Sequence, residues 1–268
     1  MELTINKASV YVATGGKEFD PKLPTVLFLH GSGGDHRTWA LQTRWFAYHG
    51  YSVLAPDLPE HSLSGGSAFK TIEDSGTWLA EFLKHTGVKS AHIVGHSQGF
   101  LSALELYKTM PKSCASISAV ATAAAIPVNQ ALINTAKDSS IKAAHMMCNW
   151  GFGPAAHMGD SSVPGMQPIA ISRAIMSRNP LAADLQACAD YTSGMDVVNN
   201  LDVPMLSILG NKDKMTPLKA GLALAQAAEA EVKVVDGGGH MLPLEAPKPV
   251  LRYLKEFIST NQRDRDSA

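Results

Sequence analysis

Short apolar runs recur along the chain and alternate with stretches of helical periodicity. Residues 25–29 (TVLFL), 52–55 (SVLA), 91–94 (AHIV), 116–121 (SISAVA), 205–209 (MLSIL) and 231–235 (EVKVV) are β-branched or aliphatic and are bounded by turn formers. Such runs predict strands buried on both faces. Between them, residues 71–86 place Ile72, Trp78, Leu79, Phe82 and Leu83 near one face, with acids early and Lys and His late, the pattern of an amphipathic helix that complements its own dipole. Helices are also expected over 98–109, 217–229 and 247–259. The third opens with Thr216 as N-cap and Pro217 at the first helical position, and the last opens at Pro247 after Ala246. The N-terminal MELTINKASVYV alternates as a strand does. Together these elements predict an α/β fold, a mostly parallel sheet with helices on both faces.

One stretch breaks the alternation. From Pro127 to about residue 200 the pattern is helical in 128–148 and 167–190, and the intervening GFGPAAHMGDSSVPGM is a run of turn formers. Strand-like residues resume only at Pro204. The expected organisation is a core of residues 1–126 and 201–268, with 127–200 inserted as a helical cap. The tail 261–268 (NQRDRDSA) is expected to fray.

The bulk properties mainly exclude. A chain of 268 residues buries a full core without staples. A formal net charge of −1 and a pI near 6.8 leave no global field to gather nucleic acid or an anionic membrane. No apolar run approaches the ~20 residues of a membrane helix, and the first residues lack a signal-peptide pattern. The expected location is the cytoplasm. Three widely spaced cysteines, Cys114, Cys148 and Cys188, form no disulfide framework and read as small buried side chains.

Candidate chemistry concentrates in four loops. Gly95-His96-Ser97-Gln98-Gly99 follows AHIV and precedes a helical run, the strand–turn–helix context that exposes a nucleophilic serine. A serine needs a base. Of ten histidines, His240 stands in Asp236-Gly237-Gly238-Gly239-His240, a loop after a strand run that can bring an imidazole over the strands' carboxyl edge. The acid that orients it is Asp213, in Gly210-Asn211-Lys212-Asp213 after another buried run. Asp236 is a rival too close to His240 in sequence, and Asp202 precedes its strand. The order Ser, Asp, His is that of one known hydrolase arrangement. His30-Gly31-Ser32-Gly33-Gly34 follows TVLFL, and its glycines let backbone N–H groups approach an oxyanion. The N–H groups of Ser32 and Gln98 are the expected donors. This loop lacks the lysine and spacing of a phosphate-binding loop. His30 and His96 are expected to support loops. His36, His61, His145 and His157 are candidates for substrate contact, and His49, His85 and His92 read as helix-end or strand residues.

With HGSGG after a strand, VGHSQG at the elbow, GNKD before TP, and GGGH near the end, all in order, the chain resembles the α/β-hydrolase superfamily from about residue 20 to 258, the cap excluded. The resemblance implies eight strands and a lid after strand six. Ala55-Pro56-Asp57-Leu58-Pro59 also matches, but where the family usually continues Gly-His-Gly this chain reads Glu60-His61-Ser62, which alters a loop near the pocket mouth. Relatives with serine at the elbow are mainly carboxylesterases, lipases and thioesterases. Some are carbon–carbon hydrolases, perhydrolases or hydroxynitrile lyases. Epoxide hydrolases and haloalkane dehalogenases carry aspartate there, so Ser97 argues against both.

The expected activity is hydrolysis of carboxylic esters of small to medium, largely apolar substrates through an acyl-enzyme, with no metal or organic cofactor, a small-molecule ester substrate as partner, and no nucleic acid or membrane. The cap holds Met146, Met147, Met158, Met166, Met176 and Met195 beside Trp150 and Phe152, residues that either line an adaptable pocket or glue the cap to the core. Arg173 and Arg178 are the cap's candidates for an anion clamp. The alternatives are carbon–carbon cleavage and a slow-turnover ligand receptor. Oligomeric state is left open by the sequence.

Overall fold

The computed structural model describes residues 1–266. Eight strands form one sheet: β1 (Glu2–Ile5), β2 (Ala8–Ala13), β3 (Thr25–Leu29), β4 (Ser52–Pro56), β5 (Ala91–His96), β6 (Cys114–Val120), β7 (Met205–Gly210) and β8 (Glu231–Val235). Their spatial order is β1-β2-β4-β3-β5-β6-β7-β8. The six from β4 to β8 pair in parallel, and β1 and β2 are antiparallel. The N-terminal alternation is therefore a hairpin rather than one strand. Asn6 and Lys7 turn it with φ of 50° and 68°, the left-handed pair that a two-residue hairpin turn requires.

The helices are α1 (Ala40–Ala47), α2 (Ile72–Thr86), α3 (Gln98–Thr109), α4 (Gln130–Asp138), α5 (Ser140–Gly151), α6 (Pro154–His157), α7 (Pro168–Met176), α8 (Leu181–Asp190), α9 (Gly194–Val198), α10 (Leu218–Ala227), α11 (Leu242–Glu245) and α12 (Pro247–Asp266). Side-chain alternation splits the central strands between two cores. Leu27, Leu29, Leu54 and Ile93 face α2 and α3. Val26, Phe28, Val53 and Val94 face α1 and α12. The α2 ends follow local rules: Thr71 and Asp74 form a capping box, and Gly87 closes the helix at φ 74°.

Three details depart from the sequence pattern. EVKVV is the outer strand, not a doubly buried one. Val232 and Val234 are 38% and 43% exposed, because β8 has a neighbour only at β7. Pro217 is the N-cap of α10 and not its first residue, since the Thr216 side chain is engaged elsewhere. The last helix continues to Asp266 where fraying over 261–268 was expected, and residues 267 and 268 lie outside the described residues.

Helices α4 to α9 occupy the stretch between β6 and β7. They carry their own apolar cluster, including Leu132, Ile133, Met147, Phe152, Met176, Leu181 and Leu185, which Met241 of the core joins. No helix among the described residues is long and apolar enough to cross a membrane. Because β4 and β5 flank β3, the chain reverses direction of travel there, and the loops after β3 and β5 open a crevice at the strands' carboxyl ends.

Candidate active site

Ser97 stands in that crevice, between β5 and α3, with φ 52° and ψ −122°. This is a left-handed state that an L-residue holds only under constraint. The constraint is visible. The Ser97 N–H donates to the Val120 carbonyl at 3.1 Å, and the Thr122 hydroxyl donates to the Ser97 carbonyl at 3.0 Å. The turn also needs bare backbone on either side. A Cβ at Gly95 would overlap the backbone of Phe100, and one at Gly99 would overlap the carbonyls of Leu29 and His30.

The structure brings Ser97, His240 and Asp213 into one hydrogen-bonded chain. His240 Nε2 lies 3.0 Å from Ser97 Oγ, and His240 Nδ1 lies 2.9 Å from Asp213 Oδ2. Asp213 follows β7 and His240 follows β8, so register between parallel strands sets their approach. With Nδ1–H donating to the carboxylate, Nε2 is left as acceptor for the serine hydroxyl. All three side chains are buried, at 6%, 1% and 7% for Ser97, His240 and Asp213. Asp236, the rival acid, is exposed and accepts instead from Asn211 Nδ2.

Thr216 is a fourth member that sequence reasoning assigned to a helix cap. Its hydroxyl donates to Asp213 Oδ2 at 2.8 Å and lies 3.2 Å from His240 Nδ1. The N–H groups of Met215 and Thr216 donate to Asp213 Oδ1 at 2.8 and 2.9 Å. Burial alone would raise the Asp213 pKa, but His240 and the Thr216 donors outweigh it and hold the carboxyl below its ordinary value. His96 backs the imidazole. Its Nε2 donates to the His240 carbonyl at 2.8 Å, and burial, with the His240 charge adding to it, pushes its pKa down to about 3. It is therefore a neutral prop, in line with its expected supporting role.

The loop after β3 closes on itself through the Gly34 N–H and the Gly31 carbonyl, 2.8 Å apart. The Ser32 hydroxyl donates to Gln98 Oε1 at 2.8 Å, tying this loop to the elbow. The backbone N–H groups of Ser32 and Gln98 have no hydrogen-bond partner among the described residues.

Above these groups is a cavity of about 200 Å³. Ser97 and His240 share its lining with apolar side chains from both core and cap, among them Ile126, Leu132, Met147, Met176, Met215 and Met241. Beyond Ser32, His96 and the relay itself, polar lining is sparse and includes Thr38, Asn129, Ser172 and Lys214, the last exposed. The Ser172 hydroxyl has no hydrogen-bond partner among the described residues. Met147 and Met176 line the cavity and also belong to the cap's core, so the two readings of the cap methionines merge there. Met158 and Met195 do neither and are 88% and 38% exposed. Arg173 and Arg178 are not among the lining residues; Arg173 bonds Asn149 at 3.0 Å. Cys188 lines the cavity beside Ser32 Oγ at 3.6 Å, and burial pushes its thiol up to about 12, out of the nucleophilic range.

The four histidines considered for substrate contact lie elsewhere. His145 and His157 are exposed. His36 bonds Asp57 at 2.8 Å, in a group with Asp35, whose carboxylate holds Arg37. His61 is buried and faces Asp184 of α8 at 2.9 Å. Contacts that the sequence did not signal join cap to core at two ends. Asp184 also accepts from the Gly33 N–H at 2.6 Å. At the other end of the cap, the Gly151 carbonyl accepts from the His240 and Met241 N–H groups. There Glu245 accepts from the Gly153 and Gly239 N–H groups at 2.7 and 3.0 Å.

Comparison with known proteins agrees with this fold. The model of the alpha/beta hydrolase family matches residues 26–253. A dihydrolipoyllysine-residue acetyltransferase component of the acetoin cleaving system from Cupriavidus necator is 38% identical over 97 residues, covering 36% of this chain and 26% of that protein. Human protein ABHD8 is 25% identical over 241 residues, covering 87% of this chain and 54% of its own. The chain thus spans between a quarter and about half of these relatives. Among solved structures, a thermophilic esterase superposes with a TM-score of 0.80 at 25% identity, covering 97% of both chains.

Proposed function

From the premise that this chain belongs to the alpha/beta hydrolase family, we propose that it is a serine ester hydrolase with Ser97 as nucleophile, His240 as base and Asp213 as orienting acid. The observation that carries the reading is the relay from Asp213 through His240 to Ser97, at 2.9 and 3.0 Å, opening on an apolar cavity. In the reaction, Ser97 Oγ bonds to the acyl carbon as its proton passes to His240 Nε2. The carbonyl electrons move onto oxygen, which the Ser32 and Gln98 amides receive. Collapse expels the alkoxide, which leaves as alcohol with the Nε2 proton. Water then attacks the acyl-enzyme, gives its proton to Nε2, and frees the acid as Ser97 regains that proton. Asp213 keeps the Nδ1–H tautomer and faces the imidazolium formed at each step.

The cavity supports a reading of the substrate class. An apolar hole of ~150 Å³ accommodates benzene, so one of about 200 Å³ with few polar groups suits a short acyl chain or a single ring. The structural neighbour described as an esterase supports ester chemistry, and a cytoplasmic small-molecule enzyme fits the same reading. The test is a panel of p-nitrophenyl esters from acetate to decanoate, with fluorophosphonate labelling. Multiple turnovers peaking at short acyl chains, label on Ser97 only, and a loss of at least ~10⁴-fold in kcat for Ser97→Ala are expected. Label on another residue, or at most one turnover with ligand binding retained in Ser97→Ala, defeats it.

A further inference from the structure

The loop that carries the Ser32 amide is held from above by the cap. Asn179, between α7 and α8, donates from Nδ2 to the carbonyls of Gly33 and Gly34 at 2.9 and 2.8 Å, and its Oδ1 accepts from the Ser62 N–H at 2.9 Å. Asp184 Oδ2 receives the Gly33 N–H at 2.6 Å and faces His61 Nε2 at 2.9 Å. Both cap side chains are buried, at 5% and 4%. Leu181 and Met176 close over Gly33 so tightly that a Cβ there would meet them. His61 belongs to the segment where this chain reads Glu60-His61-Ser62, and Glu60 and Ser62 keep φ of 66° and 48°. The strained turn presents the His61 ring to the cap.

Both ring nitrogens of His61 face acceptors: the Pro59 carbonyl at 2.9 Å from Nδ1 and the Asp184 carboxylate at 2.9 Å from Nε2. A neutral ring has one N–H and leaves one of these contacts lone pair against lone pair. The geometry is therefore that of an imidazolium. Burial disfavours that charge, but Asp184 by charge and hydrogen bond, the Pro59 carbonyl and Asp57 outweigh it and raise the His61 pKa above its ordinary value. The remaining titratable neighbour, His30, has its ring centroid 4.8 Å away. It is held neutral, down to about 4, by burial and by the His61 charge.

We propose that His61 and the cap residues Asp184 and Asn179 are positioning residues, a buried ionic latch that holds the oxyanion loop against the elbow and ties turnover to the charge on His61. The inference rests on the ester-hydrolase reading. The sign follows from linkage. The latch is complete below the ordinary histidine range and is lost as pH rises through the raised pKa of His61. Substrate binding in the cavity is not touched, so the effect belongs to kcat.

The experiment is the pH profile of kcat and KM for the full chain and for His61→Gln and Asp184→Asn, beside ¹⁵N NMR of the histidine rings. The expected results are an alkaline decline of kcat in the parent chain that is absent in His61→Gln, and a fall of at least tenfold in kcat for Asp184→Asn with KM within threefold. The parent spectrum should hold, above the ordinary histidine range, a ring with both nitrogens protonated. Superimposable profiles, an unchanged kcat in Asp184→Asn, or no persistent imidazolium in the parent overturns the latch. The NMR arm stands even if a variant does not fold. A parent chain that neither turns over esters nor takes fluorophosphonate on Ser97 defeats the hydrolase reading instead.

Discussion

Thr216 shows how much one hydroxyl contributes at this site. It donates to the same Asp213 oxygen that receives His240 Nδ1, so it spreads the carboxylate charge without displacing the ring. Asp213 is held below its ordinary pKa. Its contribution to stability is therefore present above the unfolded-state value and lost as pH falls through the folded one. Thr216→Val keeps the shape and removes the donor. A hydrogen bond to a buried charged group is worth about 1.5–3 kcal/mol, so the variant should lose stability of that order in urea melts at neutral pH. Its kcat should drop about tenfold at constant KM, and a melt and a saturation curve at pH 7 check both.

At the scale of elements, the elbow depends on contact between α3 and β3. Gly99 lies where the first turn of α3 crosses the Leu29 and His30 carbonyls, and backbone cannot move aside as a side-chain tip can. Gly99→Ala should cost about 1–3 kcal/mol and shift the elbow, lowering fluorophosphonate labelling of Ser97 more than it lowers the melting midpoint. Ala103, also buried on α3, is a control: Ala103→Gly should destabilise by about 1 kcal/mol through helix propensity and leave the labelling rate of the folded protein unchanged.

Across the whole molecule, the cap touches the site at two ends. One end is the Asn179–Asp184 segment over the loop after β3. The other is the α5–α6 junction over the His240 loop, where Glu245 receives one N–H from each side. Burial raises the Glu245 pKa to about 7, with the two amide donors opposing. An acid whose folded pKa is raised binds its proton more tightly when folded. Stability from this group thus falls as pH rises from its ordinary value, about 4.5, to about 7. Glu245→Gln should lower the melting temperature at pH 5, by losing one amide acceptor, and flatten its decline between pH 5 and 8. A thermal-melt series over that window reads both effects.

The sequence by itself determined the mostly parallel sheet with helices on both faces, and it nominated the three residues that the structure draws into one hydrogen-bonded relay. Those rest on local signals: apolar runs of strand length, and glycines at a turn whose backbone excludes a Cβ. Four things were decided only by tertiary structure. β8 became an exposed edge because, among the described residues, no strand pairs beyond it. Thr216, three residues from Asp213, came within reach of His240 Nδ1 because β7 and β8 place Asp213 and His240 together. His61 left the substrate pocket for Asp184, 123 residues away in sequence. Asn179 and Asp184, ordinary polar residues in the cap, became hydrogen-bond partners of Gly33 and Gly34 in the loop after β3. For His61, Asn179 and Asp184 the physical reason is the same: a buried polar group takes whichever partner the fold brings within about 3 Å, and chain distance carries no information about that partner.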